Sequence, residues 1–570
     1  MKRRITAMLI AMLSITSVLC STVVSQAEVI HETDLEDYLL EELSSAHALG
    51  MGISIVSADK ELYCAAYGMA QKTEADYVLG DLTKSFTAAG IMRLEEDGEL
   101  SLEDTIGDFL SEYKGFKDIT IRELLTQTSG IASGQTMDDA NPEGTKGTFE
   151  DANLNYTILG DIIATVSGME YEEYISDNIL DPLEMTSTYS MRHDADMGEG
   201  MINGYKNYFG FPFSYKYQYS ADEKWMTVPS SYMISDVKDM GRYLQMYLQD
   251  GGDVLSEESI ESMLSGDTVV PKSEKISKEI FGKTAKYGMG WIEKETDGQK
   301  VLYASGKTEG HTTMMMLLPE QNVGIVMMFN SADALVGQKL IQQLAEGVIA
   351  IELGNTPETI GDNTYFLQHI AYDVLMLLVL IAACLPIFLM SVWCRKRRQK
   401  LADVPGIIAD VVIHIILPTV ALVVFSRLMP AYYAVKFMPD VFYVSCLTIG
   451  VLYLGALVKL VAGIVIAVKG PEKNDGKDEE EKAEPEQSEE KSDDGSESDE
   501  TEKAEPENDS KVDEKVDKTE AESKEPEEDK KDENDKTGDE TVETEKTEDD
   551  KKEENKTEDD KTDEEDKKEV

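Results

Sequence analysis

The sequence predicts an α+β domain of antiparallel sheet and helices, then about three transmembrane helices and a disordered acidic tail. Three observations carry this prediction. Runs rich in β-formers stand at both ends of a long helical stretch within residues 28–354, so one sheet is assembled from the two ends of that region. Three long apolar runs follow, the first ending at a basic cluster. Beyond Gly470, Glu, Asp and Lys alternate with Thr, Ser and Pro, and no aromatic residue occurs.

The N-terminus reads as a targeting segment. Lys2, Arg3 and Arg4 precede an apolar stretch from Ile5 to Val24, and Ser25-Gln26-Ala27 offers small residues for cleavage, so 1–27 is expected to be a signal peptide. An uncleaved anchor helix is the alternative for a run of this length. Val18-Leu19 before Cys20 lacks the small residue of a lipoprotein signal, so no lipidation is expected. The exported region then holds one cysteine, Cys64, and so no disulfide of its own. Cys384 and Cys446 lie in apolar segments and Cys394 beside a basic run. None has metal-site spacing, and no metal or cofactor is expected.

Within the domain, Thr33-Asp34-Leu35-Glu36 reads as a capping box, and Leu35, Leu39 and Leu43 recur at helical spacing. Gly52 to Val56 and Leu62 to Ala66 read as strands around a turn at Ser57–Lys60. Helical segments dominate from Lys84 to about Met263. Strands return at Tyr287–Trp291, Val301–Ser305, Thr312–Leu318 and Gly324–Phe329.

The apolar runs place transmembrane helices at 366–394, 406–425 and 441–468. Arg395 to Lys400 opens a basic loop, 395–405, that should remain cytoplasmic, which puts the domain and the 426–440 loop outside and the tail, 470–570, inside. Asp410 and His414 share a helix face, and Lys459 interrupts the third run. Ionisable groups at this depth face protein or water, so two placements of Lys459 stand open: a pair with Asp410 between helices, or snorkelling to the cytoplasmic surface. The formal charge is −57, about half of it after Gly470. So acidic a chain repels phosphates, which excludes nucleic acid as a partner. Its composition cannot offset the entropy of ordering, so the tail should be disordered and free for a cytoplasmic partner.

Several motifs stand in order along 35–331: Leu79-Gly80-Asp81-Leu82-Thr83-Lys84-Ser85, Ile119 to Gly130, Asn155 to Gly160 with Ser167-Gly168, Asp181 to Met185, Tyr287 to Trp291, and Pro319 to Asn330. The ordered series resembles the serine β-lactamase-like family of class C β-lactamases, D-Ala-D-Ala peptidases and related esterases. The resemblance implies a Ser-x-x-Lys nucleophile helix, a Tyr-x-Asn loop sharing the base role, and a His-x-Gly or Lys-Thr-Gly strand near the oxyanion site.

Three of the side chains so implied are replaced. The nucleophile position is Asp81, although Lys84 remains. The loop reads Asp151-Ala152-Asn153, keeping Asn153 only. The strand reads Ala304-Ser305-Gly306, without its basic residue, and Gln127 stands where the family often carries a structural His. Ser85 is turned about 100° around the helix from Lys84 and Thr83 is likewise off its face. His311 is near enough in sequence to re-enter the site. Asp81 is placed to cap its helix. An Asp attacking an ester or amide would give an anhydride.

The expectation is a vestigial pocket of Asp81, Lys84, Asp151, Asn153, Ser305 and Gly306, with Ala304 among its degenerate positions and two carboxylates around one ammonium. Such a pocket suits either a structural ion cluster or an amine-bearing ligand such as a peptidoglycan stem peptide. The whole is expected to be a binding or sensing pseudoenzyme. Its rivals are an active peptidase, β-lactamase or esterase, and a membrane scaffold working through helices and tail.

Overall fold

A computed structural model describes residues 32–470, apart from 140, 191–199, 218–223, 273–284, 297, 362, 401–402 and 429–430. The expected signal peptide and nearly all of the acidic tail lie outside the described residues.

In chain order the strands are β1 (Gly50–Val56), β2 (Glu61–Gly68), β3 (Tyr77–Val78), β4 (Tyr189–Ser190), β5 (Gly204–Tyr208), β6 (Phe211–Tyr215) and β7 (Met233–Ser235). They continue with β8 (Thr268–Val270), β9 (Ala285–Tyr287), β10 (Ile292–Thr296), β11 (Gln299–Lys307), β12 (Thr312–Leu318), β13 (Val323–Phe329) and β14 (Ser331–Ala332). One sheet has the order β2-β1-β13-β12-β11-β10-β9-β8, all its neighbours antiparallel, so the two ends of the domain do share it. Two three-stranded sheets, β14-β5-β6 and β3-β7-β4, complete the domain.

Alternate side chains of the large sheet serve two cores. Met51, Ile53, Ile55, Ile325, Met327 and Phe329 pack with the helices Glu32–Ser45 and Gly337–Glu352. Val326, Met328, Met315 and Leu302 face the helices Thr83–Glu96, Asn153–Ser167 and Val237–Leu248. Burial on both faces explains why β12 and β13 read as unbroken apolar runs rather than as alternation.

The structure corrects three local readings. The first helix among the described residues is Glu32–Ser45, so Thr33 lies inside it and is not its cap. Tyr287–Trp291 is not a strand: β9 ends at Tyr287, and the chain turns through Gly288–Gly290, with Gly290 at φ +82°, before β10 begins. The hairpin β5–β6 falls inside the stretch read as helical.

Among the described residues, three helices are long and apolar enough to cross a membrane: Thr364–Phe388, Val404–Ser426 and Pro439–Lys469, here spans 1, 2 and 3. The expected first segment ran to residue 394, but the helix breaks at Leu389, shortly after Pro386, and resumes as Met390–Gln399. Span 2 loosens to a π turn at Val412–Ile416, where Pro418 has no N–H to offer the carbonyl of His414. The Asp410–Lys459 pair forms. Lys459 Nζ lies 2.7 Å from Asp410 Oδ1, Trp393 Nε1 donates to Oδ2 at 2.7 Å, and His414 Nδ1 is 3.1 Å from the Asp410 carbonyl.

Candidate functional site

The site lies where the helix Thr83–Glu96 begins against β11. Leu79 to Asp81 run so close to this strand that side chains are excluded. A Cβ on Gly306 would sit 1.9 Å from the Leu79 carbonyl oxygen and 2.8 Å from the Asp81 nitrogen. Gly80, at φ +58°, would press its own Cβ to 2.5 Å from the Lys307 nitrogen. These two glycines bring Asp81 beside the Ala304-Ser305-Gly306 strand.

Asp81 does not cap the helix, contrary to expectation. It sits in a 3₁₀ turn, Gly80–Leu82, and its carboxylate is 3.0 Å from Lys84 Nζ, three residues on and on the same face. Asp151 approaches from the loop before the helix Asn153–Ser167 and accepts from Lys84 at 2.6 Å. The ammonium is nearly sealed, with 4% of its side chain exposed, while Asp81 and Asp151 keep 37% and 36%. Burial pulls the Lys84 ammonium down, but the charges of Asp151 and Asp81 outweigh it and hold Lys84 above the ordinary lysine range. Two carboxylates facing one ammonium leave a formal charge of about −1 on the wall of the site.

Gln127 fixes Asp151. Its Nε2 donates to Asp151 Oδ1 at 3.0 Å, and its Oε1 accepts from the Ala152 amide at 3.1 Å and from Asn155. Tyr156 places its ring 5.9 Å from Lys84 Nζ, but its hydroxyl is spent on the Leu125 carbonyl at 2.8 Å. The sequence reading missed the roles of both; the Gln at a position usually His was the available signal for the first.

The other expected members divide. Asn153 opens its helix and donates to the Trp225 carbonyl at 3.2 Å, so it ties a second loop to the site wall. Ala304 shares the core on the side of the Lys84 helix, whereas alternation turns Ser305 with Tyr303 toward the other core. His311 does not re-enter the site: it is fully buried and its Nδ1 accepts from the Val78 amide at 3.0 Å. The hydroxyls nearest Lys84 in sequence are also occupied. Ser85 donates to the Leu82 carbonyl at 2.8 Å and accepts from Tyr243, and Thr83 accepts from the Met233 amide. Among the described residues no group of three or more His, Cys, Asp or Glu is placed to hold a metal ion.

The short helix Ala431–Phe437, between spans 2 and 3, spans both flanks of the site. Tyr432 packs on Trp225 with ring centres 4.1 Å apart, Tyr433 Oη lies 3.3 Å from Lys307 Nζ just past Gly306, and Lys436 pairs with Glu309 at 3.4 Å.

Residues 34–347 match the β-lactamase family profile, more than half of the chain. The chain belongs to the β-lactamase family. Protein flp of Staphylococcus aureus strain MW2 is 27% identical over 393 residues, covering 62% of this chain and 73% of its own. Penicillin-binding protein 4* of Bacillus subtilis is 26% identical over 370 residues, covering 57% of this chain and 78% of its own. The solved octameric penicillin-binding protein homologue from Pyrococcus abyssi superposes with a TM-score of 0.50 at 27% identity, covering 59% of this chain and 80% of that one. The fold is thus the β-lactamase/transpeptidase-like one, joined here to three membrane-length helices.

Proposed function

We propose that the β-lactamase-like domain is a non-catalytic binding or sensing module for amine-bearing, cell-wall-type ligands, carried on the outer face of the cell membrane. In this reading the basic loop and the acidic tail face the cytoplasm, as the basic run after span 1 favours.

The observation that carries it is the clamped state of Lys84. A family lysine that takes the proton from a serine must have a lone pair to offer. Asp81 stands in the nucleophile position and, with Asp151, keeps the ammonium charged. A carboxylate pair with a third of its surface open and a net negative charge favours a cationic group over the penicillin carboxylate. Peptide stems with free amines fit that requirement.

The rival reading, an active peptidase, β-lactamase or esterase, needs another nucleophile, and the bonds made by Ser85 and Thr83 speak against both. The test is intact-mass spectrometry of the full-length protein after exposure to a fluorescent penicillin and to a fluorophosphonate. No adduct is expected. A stoichiometric acyl or phosphonyl adduct would overturn the reading. A pure scaffold is separated by deleting 28–354: partner recruitment would then survive intact.

A further inference from the structure

The hairpin β5–β6 presents Phe209, Phe211 and Phe213 to the outside, 43%, 63% and 56% exposed. Three large aromatic residues on one hairpin need a partner surface. Its turn makes the same point. Phe209 and Gly210 are the two central residues, at φ +54° and +78°. Such turns favour Asn-Gly or Asp-Gly, because a bulky residue in the left-handed region is strained. Phe209 occupies that position at a conformational cost that an Asn would avoid.

The hairpin is pinned to the domain ends of two spans. The Phe209 amide donates to the Asp440 carboxylate at 3.0 Å, and Asp440 is the second residue of span 3. Asn207 bonds the hydroxyl of Tyr365, the second residue of span 1. A Cβ on Gly210 would lie 3.3 Å from the Cβ of His369 in span 1. From these anchors the spans continue with exposed Leu367, Ile370, Tyr372 and Tyr443. The Phe side chains therefore extend the apolar, aromatic collar of the span ends, where membrane proteins carry their interfacial aromatics.

A second copy of the chain is a poorer fit. β6 is the edge of its sheet, but Pro212 at its second position has no N–H to give an incoming strand.

We propose that the β5–β6 hairpin is a non-spanning membrane contact, with Phe211 and Phe213 entering the lipid interface that receives spans 1 and 3. It would seat the domain on the bilayer. The proposal rests on the spans crossing a membrane and is independent of what the Lys84 site binds.

The test uses the full-length protein with its cysteines replaced by Ser and one new cysteine, Phe211→Cys, Phe213→Cys or Asp59→Cys, carrying a polarity-sensitive dye. Asp59 is exposed in the β1–β2 turn, at the far end of β1 from the hairpin's sheet, roughly 20 Å along the strand. In phosphatidylcholine/phosphatidylglycerol vesicles, positions 211 and 213 should show blue-shifted emission and lose most of their intensity to shallow brominated lipids. Position 59 should show neither. Spectra at 211 and 213 matching that at 59 would overturn the proposal. So would a blue shift without lipid quenching and with disulfide cross-linking between chains through Cys at 211, the signature of a second copy.

Discussion

Gln127 and Lys84 share one acceptor: Asp151 Oδ1 takes the amide of Gln127 at 3.0 Å and the ammonium of Lys84 at 2.6 Å. The amide fixes where the carboxylate stands before any charge is counted. Gln127 is itself set by a backbone at φ +58° and by the Ala152 amide that its Oε1 accepts. The ion cluster is thus preorganised by a neutral group, so Lys84 meets two carboxylates that need little rearrangement.

A double-mutant cycle should reveal this arrangement. Lys84→Met leaves two carboxylates in mutual repulsion beside an apolar stem. Losing one partner of a buried pair costs about 3–5 kcal/mol, and exposed pairs contribute up to about 1. With Lys84 sealed and the two Asp side chains a third open, a loss of about 1–3 kcal/mol is expected. Combining Lys84→Met with Asp81→Ser or Asp151→Tyr should restore part of it, and Gln127→Leu should weaken the coupling to Asp151 but not to Asp81. Chemical unfolding of the single and paired variants reads this directly. Additive effects would sink the cluster, because contacting charges couple.

What could be read in advance follows from the range of the interactions. The three spans and the strands Thr312–Leu318 and Gly324–Phe329 are written in runs of one residue class, and the Asp81–Lys84 contact is fixed by a helix repeat. Placing Asp151 against Lys84 required the family resemblance, because the two are 67 residues apart. The role of Gln127, the turn that replaced the expected Tyr287–Trp291 strand, and the 3₁₀ turn that withdrew Asp81 from capping were not legible. Each depends on a close approach between distant segments, such as Gly306 against Leu79, that no local pattern encodes. Glycines at 288 and 290 were the one available hint of the turn.

The pair between spans 2 and 3 gives a prediction of the same form in a different medium. Asp410 is shared by Lys459, Trp393 and, at 3.7 Å, Arg397. Lys459→Met should lower the melting temperature of the detergent-solubilised protein more than Asp410→Asn/Lys459→Met together, since the single change leaves a carboxylate among apolar helices with only the Trp393 indole and the more distant Arg397 to hold it. Equal melting temperatures for Lys459→Met and the double variant would show that the Asp410 carboxylate does not depend on Lys459.

His311 gives the chain a pH signature separate from its carboxylates. Its ring is fully buried between Tyr77 and Tyr217, and Nδ1 accepts from the Val78 amide, which requires the neutral form with the proton on Nε2. Burial drops its pKa from 6.5 to about 3. The unfolded chain, with its histidine near 6.5, therefore binds the extra proton first. The stabilisation from a neutral His311 is complete above about pH 6.5 and is lost as the pH falls from there toward 3, at about 1.4 kcal/mol per unit. Other groups also titrate in that window, so the informative quantity is the difference between the wild type and His311→Gln, which keeps an acceptor but cannot be protonated. At pH 7 the wild type should be the more stable of the two. By pH 4 that advantage should have shrunk by up to about 3 kcal/mol in chemical unfolding. A difference that stays constant from pH 7 to 4 would mean that His311 is protonated as readily in the folded protein as in the unfolded chain.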